Sequence, residues 1–266
     1  MNRPLVEIVI PVYNEQVVLE QSVKTLREYM AKNFPYRWQI TIADNASVDR
    51  TWEIAQRLES EYPEVKAMHL DRKGRGLALR TAWLESDAEI VSYMDVDLST
   101  GLESFWPMVE SILVGKSEVA TGSRLAKGAQ VTRQWKRELT SRGYNTLIKL
   151  FFFHRFSDAQ CGFKACRAET VRKLLPMVEN NAWFFDTELL LLAEHNRLPI
   201  FEIPVRWVED LDSRVHIVKT ATEDIKGLWR LRKSFWRGQG RITSARKEPV
   251  YPETGPLKIQ SETNFD

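Results

Sequence analysis

Two carboxylates one residue apart, Asp95-Val96-Asp97, stand where the apolar run of residues 90–94 stops. A strand that breaks into a loop there lets both side chains turn toward one ligand. Hard divalent cations favour such oxygens, and Mg²⁺ or Mn²⁺ typically bridges them to substrate phosphates. The chemistry implied is neutralisation of charge on a diphosphate leaving group. A lone D-x-D also describes a solvated loop, so its company matters. Asp44 ends another β-rich run, residues 39–43, where it can accept a hydrogen bond from a nucleobase N–H. Equally, Asp44 and Asn45 can shape a turn, with Ser47 and Asp49 capping the next helix. Arg72-Lys73-Gly74-Arg75-Gly76 sets three cations around two glycines just before a helical pattern. Glycine lets a backbone approach a ligand closely, and the cations suit phosphate. As a dinucleotide fingerprint the segment fails, because the third glycine is absent and it follows the third strand, not the first.

The elements that position these clusters alternate. Residues 6–12 read as a buried strand; Asn14 can cap a helix whose apolar face is Val17, Val18, Leu19, Val23, Leu26 and Met30. Strands at residues 39–43, 65–70 and 90–94 alternate with helices at 51–62, capped by Asp49, and 76–85. This order predicts an α/β fold, a mostly parallel sheet with helices on both faces. Ligands in such sheets sit outside the carboxyl ends of the strands. Tyr13-Asn14-Glu15, Asp44-Asn45-Ala46-Ser47, Arg72-Lys73-Gly74 and Asp95-Val96-Asp97 all fall on that rim. Beyond Thr100 the pattern predicts helices at 104–113, 135–153, 170–175 and 186–195, and strands at 118–121, 163–166 and 200–205. A basic amphipathic helix follows at about 217–237. The division expected is a catalytic domain over residues 1–237 and a disordered tail over 238–266, rich in Gly, Pro, Ser and charge.

Bulk properties exclude other classes. A net charge of +2 does not describe a nucleic-acid-binding polycation, so no nucleic acid is expected. Cys161 and Cys166 cannot form a disulfide scaffold, and a reducing cytosolic compartment suits them. The four histidines lack paired-ligand spacing, which argues against zinc. Residues 1–14 read as a strand rather than a signal peptide, and no apolar stretch approaches the roughly 18–20 residues of a membrane span.

Taken in order, Pro11-Val12-Tyr13-Asn14-Glu15, Asp44-Asn45-Ala46-Ser47-Val48-Asp49, Lys73-Gly74, Asp95-Val96-Asp97, Gly122-Ser123-Arg124 and Gln160-Cys161-Gly162-Phe163-Lys164 resemble family 2 glycosyltransferases of GT-A fold. Within these the chain is similar to the dolichyl- or polyprenyl-phosphate hexosyltransferases, over about residues 5–231. The resemblance implies that Pro11, Tyr13, Glu15 and Asp44, with Lys73 and Gly74, line the nucleotide-sugar pocket. It implies that Asp95 and Asp97 hold Mg²⁺ or Mn²⁺ and the donor. Ser99 stands where some mannosyltransferases of this kind carry a glutamine metal ligand. Arg124, Arg137 and Ser141 match positions that cradle the acceptor's phosphate, and Arg214 matches a basic residue that touches the donor diphosphate. An ionised lipid phosphate needs no general base; it needs cations, and a guanidinium fork grips phosphate at two points. Both arginines could instead serve in surface salt bridges. The Gln160 and Asp186-Thr187-Glu188 segments look more like lipid-phosphate glucosyltransferases, which implies UDP-glucose, with GDP-mannose next. Asp186 could cap its helix or lie near the sugar. Were the acceptor a glycan hydroxyl, Asp186 or Glu188 would have to act as base. A non-catalytic nucleotide-sugar-binding scaffold is the remaining alternative.

Two helical segments suit a membrane surface. Residues 135–155 begin with Lys136, Arg137 and Arg142 and run to Leu150-Phe151-Phe152-Phe153; within residues 217–237, the stretch 226–237 mixes Trp229, Phe235 and Trp236 with Lys226, Arg230, Arg232, Lys233 and Arg237. Basic residues beside large apolar ones describe an interfacial helix, although the phenylalanines could equally be core. The placement expected is peripheral, at the cytoplasmic face of a membrane.

Overall fold

The computed structural model describes residues 3–132, 135–208 and 217–242; of these, residues 135–140 and 217–221 are described as helix backbone only. The chain runs β1 (Leu5–Val12), α1 (Leu19–Asn33), β2 (Arg37–Asn45), α2 (Thr51–Glu61), β3 (Val65–Leu70), α3 (Arg75–Glu85), β4 (Ile90–Met94), α4 (Phe105–Leu113) and β5 (Val119–Ser123). It continues β6 (Gln130–Thr132), α5 (Trp135–Phe152), β7 (Phe163–Arg167), α6 (Ala168–Leu174), α7 (Phe185–His195), β8 (Ile200–Pro204), β9 (Arg206–Val208) and α8 (Ile217–Trp236). Seven strands form one sheet in the order β3-β2-β1-β4-β7-β5-β8. Helices α1, α2 and α4 pack on one face. Helices α3, α6, α7 and α8 pack on the other with part of α5. Val6, Ile8, Val9 and Ile10 are fully buried, as a β1 covered on both faces demands.

Strands β1 to β4 are parallel, as the alternation predicts. β7 departs from that expectation and runs antiparallel to both β4 and β5. The cause is the return path after α5, which climbs back to the rim, where Asp158 meets Arg124, before β7 starts opposite Met94. The result is the α/β fold expected, a mostly parallel sheet with helices on both faces. The pair β6–β9 was not foreseen, since three-residue strands carry no usable periodicity.

Three local expectations are corrected. Helix α1 starts at Leu19, and Val17 is 86% exposed rather than on the apolar face. Asn14 does not cap it, because Asn14 takes a left-handed conformation, φ 56°, and serves the neighbouring loop instead. Residues 238–242, assigned to the disordered tail, pack on the end of α7: Ile242 N–H donates to Asn196 Oδ1, and Asn196 Nδ2 donates to the Gly240 carbonyl. The rest of that tail lies outside the described residues.

Candidate functional site

The rim at the carboxyl ends of β1, β2 and β4 is built from strained, cross-linked loops. Asn14, Ala46 and Leu98 all have positive φ (56°, 61° and 49°), a costly conformation for residues with a Cβ. Hydrogen bonds between loops hold it: Asn14 N–H to Ser47 Oγ (2.9 Å), Val48 N–H to Asn14 Oδ1 (2.9 Å) and Glu15 N–H to Thr51 Oγ1 (2.8 Å). Asp49 Oδ1 accepts the Thr51 N–H at 2.9 Å, but the N-cap of α2 is Arg50 with no side-chain cap, so Asp49 supports the first turn from one residue further upstream than expected. The register sets Val12 beside Asp44, and Asp44 beside His69. Pro11, Tyr13 and Glu15 are half-buried on this edge.

Asp44 is fully buried; its Oδ2 lies 2.7 Å from His69 Nδ1, while Oδ1 has no hydrogen-bond partner. An orphaned buried carboxylate oxygen is costly and marks a place where a donor is wanted. Trp52 packs on the His69 ring at 5.1 Å, and Lys73 Nζ sits 3.4 Å above the Tyr13 ring. Asp44, His69 and Trp52 thus form one chain of contacts, and Lys73 with Tyr13 a second on the same rim. Asn45 Oδ1 accepts from the Gly74 N–H at 2.6 Å. Gly74 and Gly76 earn their small size differently from expectation. A Cβ on either would collide with the backbone of Asn180 or Asn181, so the close approach is to protein, not ligand.

Asp95 is 44% exposed in its side chain and Asp97 is exposed. Asp97 Oδ1 accepts the Ser99 N–H, which fixes the loop. Behind Asp95 lies Gly162, where any Cβ would occupy the space of the Asp95 carboxylate. Arg75 bridges this carboxylate to the interior, with Nη2 at 2.7 Å from Asp95 Oδ1 and Nη1 at 2.7 Å from Asp186 Oδ2. Asp186 is buried and also receives the Tyr93 hydroxyl and Lys164 Nζ (3.2 Å). Burial pushes its pKa up, yet Lys164 and Arg75 outweigh that and hold it below the usual carboxylate range. Asp186 is thus an internal counter-ion, which neither of its sequence readings anticipated. Glu188, also buried, accepts the Glu179 and Asn180 N–H groups and Arg230.

Among the described residues no three His, Cys, Asp or Glu side chains gather as a metal cluster. Asp95 and Asp97 fit Mg²⁺ or Mn²⁺ all the same. Such ions are held by one or two carboxylates plus substrate phosphates and water, and a two-oxygen donor set at a solvent-open loop is of that kind.

Arg124 follows β5 and is paired through Nε and Nη2 with both oxygens of the fully buried Asp158, at 2.7 and 2.9 Å. Burial opposes the Arg124 charge, but Asp158 more than offsets it and, with Asp95, holds the guanidinium protonated. Ser141 is buried with no partner for its Oγ. The side chain of Arg137, and all of Arg214, lie outside the described residues. The rim therefore brings together Pro11, Tyr13, Glu15, Asp44, Lys73 and Gly74, and separately Asp95, Asp97 and Arg124. Sequence reading missed His69 and Asp158. The strand-end rule would have found His69, which precedes the last residue of β3; Asp158, two residues before Gln160, carried no spacing signal.

The model of the glycosyl transferase family 2 matches residues 7–175. Glycosyltransferase AglD of Haloferax volcanii is 34% identical over 235 residues, covering 87% of this chain and 37% of that protein. This chain therefore spans little more than a third of that relative. Dolichyl-phosphate beta-glucosyltransferases are also similar: ALG5C of Trichomonas vaginalis at 28% over 242 residues (86% of this chain, 72% of that one). The Saccharomyces cerevisiae enzyme is 26% identical over 250 residues (87% and 75%). Among solved structures, glucosyl-3-phosphoglycerate synthase of Mycobacterium tuberculosis in complex with Mn²⁺, UDP and its product superposes with TM-score 0.63 at 15% identity. It covers 86% of this chain and 80% of that one, a likeness of fold.

Proposed function

This chain belongs to glycosyl transferase family 2 and is a glycosyltransferase, and from that premise we propose that it transfers glucose from UDP-glucose to a dolichyl or polyprenyl phosphate, with inversion, at a membrane surface. The observation that carries the reading is the placement of a solvent-open carboxylate pair, Asp95 and Asp97, just after β4 and of Arg124 just after β5, at the same end of the sheet because both strands run antiparallel to β7 between them. The names of the dolichyl-phosphate relatives support the acceptor class.

Each residue then has work suited to its chemistry. The orphaned Oδ1 of Asp44 suits a nucleobase N–H, with Tyr13 and Lys73 flanking the nucleotide. Asp95 and Asp97 would hold the divalent cation, which when bound offsets the charge collecting on the departing nucleoside diphosphate. Arg124, with Arg137 and Ser141 on α5, would position the acceptor phosphate, and Arg214 would face the donor diphosphate. A phosphate oxygen ionised at neutral pH attacks the anomeric carbon without a general base. The commitments of Asp186 and Glu188 favour this over a hydroxyl acceptor, because both carboxylates are spent on buried partners.

For the membrane side, α8 exposes Ile225, Trp229 and Trp236 (93% exposed), and α5 exposes Leu150, with Phe153 just beyond it. Exposed cations Lys226, Arg232, Lys233 and Arg237 lie among them, the mixture that favours an anionic leaflet. Among the described residues no helix is long and apolar enough to cross a membrane. Peripheral binding at a cytoplasmic face is the placement proposed, and the two buried free cysteines suit a reducing compartment.

The test is transfer of labelled sugar from UDP-glucose, against GDP-mannose, to dolichyl phosphate in vesicles with Mn²⁺. A lipid-linked product lost by roughly a hundredfold or more in Asp97→Asn is expected, about 2.7 kcal/mol of transition-state stabilisation. No nucleoside diphosphate release with any lipid phosphate would overturn it.

A further inference from the structure

The network behind Asp95 carries an excess of design for a structural support. Arg75 is 9% exposed, is sandwiched near the rings of Tyr93 (4.9 Å) and Trp183 (5.0 Å), and is tethered at its inner end to Asp186. Asp186 is held in turn by Lys164, fully buried and the cross-strand neighbour of Tyr93. The guanidinium is thus anchored and cannot swing aside when something approaches Asp95. Charges pair off in order: Lys164 balances Asp186, and Arg75 balances Asp95. A bare divalent cation arriving at Asp95 would meet a carboxylate already matched by a fixed positive charge about a carboxylate's width away. Like charges sharing one carboxylate repel, and strongly where little water screens them. A diphosphate, carrying several negative charges, relieves the repulsion of both cations at once.

Resting on the donor and metal assignment made above, we propose that Arg75 makes cation binding at Asp95 conditional on the donor's diphosphate. The free protein binds Mn²⁺ weakly; the nucleotide-bound protein binds it well. By linkage the same factor appears in nucleotide affinity when Mn²⁺ is present. A site of this kind commits its metal only with donor in place. The sign of the effect separates it from a positioning role: removing a residue that merely orients a metal ligand weakens the metal, whereas removing this one strengthens it.

The experiment titrates Mn²⁺ into the full chain, reading free Mn²⁺ by electron paramagnetic resonance, with and without saturating UDP. For the wild type, UDP is expected to tighten Mn²⁺ binding roughly tenfold or more, within the usual range of coupling between sites. Arg75→Met leaves Asp186 paired with Lys164, and it is expected to bind Mn²⁺ roughly tenfold tighter without UDP and to lose most of the UDP effect. Arg75→Lys, which keeps the charge, should behave like the wild type. Arg75→Gln is a second neutral variant with the same expected sign, should the methionine melt early. Folded neutral variants whose UDP-free Mn²⁺ affinity is unchanged or weaker overturn the inference and leave the metal site standing. Should the wild type fail to take up Mn²⁺ even with UDP, and Asp97→Asn be no different, the metal assignment falls first and this inference with it.

Discussion

The two halves of the sheet hold their polar groups by different means. At the ends of β1 and β2 the loops are stapled to one another by neutral hydrogen bonds, Asn14 to Ser47 and Val48, Glu15 to Thr51, Gly74 to Asn45. Around β7 and the helices α5, α7 and α8 the polar groups are buried ion pairs: Arg124 with Asp158, Lys164 with Asp186, Arg230 with Glu188. A lost neutral bond costs about 1 kcal/mol, while a buried charge stripped of its partner costs about 3–5 kcal/mol. The β1–β2 rim can therefore adjust loop by loop, whereas the other half is rigid because its buried charges depend on distant partners.

Asp158→Ala tests that contrast most severely. It abandons the Arg124 charge beside β5, and urea unfolding should show a loss of about 3–5 kcal/mol. The double variant Arg124→Met/Asp158→Leu, which buries no charge, should recover most of it. If single and double variants are equally unstable, packing rather than charge holds this half. Gly162→Ala comes next. Its methyl would claim the space of the Asp95 carboxylate, so the fold should persist while sugar transfer falls about a hundredfold, or about 2.7 kcal/mol. Activity near the wild type would mean that Asp95 is free to move and the β4 rim is looser than drawn.

The same contrast explains what could be read without coordinates. In the half built on β1, β2 and β4 the polar clusters adjoin strand ends in sequence, so the strand rule alone placed Tyr13, Asp44, Lys73 and Asp95 on one rim. The second half resisted, because its logic is long-range: Arg75 meets Asp186 across 111 residues and Arg124 meets Asp158 across 34. No local pattern announces such pairs, and the direction of β7 depends on a return path with no periodicity. The errors in the first half were also physical. The helix-cap rule chose Asn14 by residue type, but its left-handed backbone commits the side chain to the next loop. Residues 238–242 look like a tail in composition, yet Asn196 satisfies their backbone.

Asp224, on α8, shows what the buried half costs. Its carboxylate meets Gln160 Nε2 at 3.3 Å and the Tyr144 hydroxyl, with Oδ1 unpartnered. Burial, with Glu223 adding to it, pushes its pKa up to about 6 from 3.8. A carboxylate raised in the folded state contributes its stability below the unfolded value and loses it as pH rises through the folded one. Asp224→Asn should therefore stabilise the chain by about 2 kcal/mol at pH 7.5, with the gain vanishing below about pH 4. A gain that does not change with pH would place the effect in packing and not in charge.

The smallest effect probes the stapled rim. Asn14 does two things there: it accepts a left-handed backbone and it offers Oδ1 to the Val48 N–H. Alanine keeps neither comfortably, paying the left-handed penalty of about 1 kcal/mol and losing a hydrogen bond of similar worth. Glycine adopts that backbone freely and loses only the bond. Asn14→Ala should thus cost about 1.5–2 kcal/mol and Asn14→Gly about 1 kcal/mol in thermal unfolding. Nucleotide affinity should follow the same order, since the loop carries Tyr13. Equal losses would assign the whole role to the side-chain bond. A loss for either variant as large as that of Asp158→Ala would erase the distinction between the two halves.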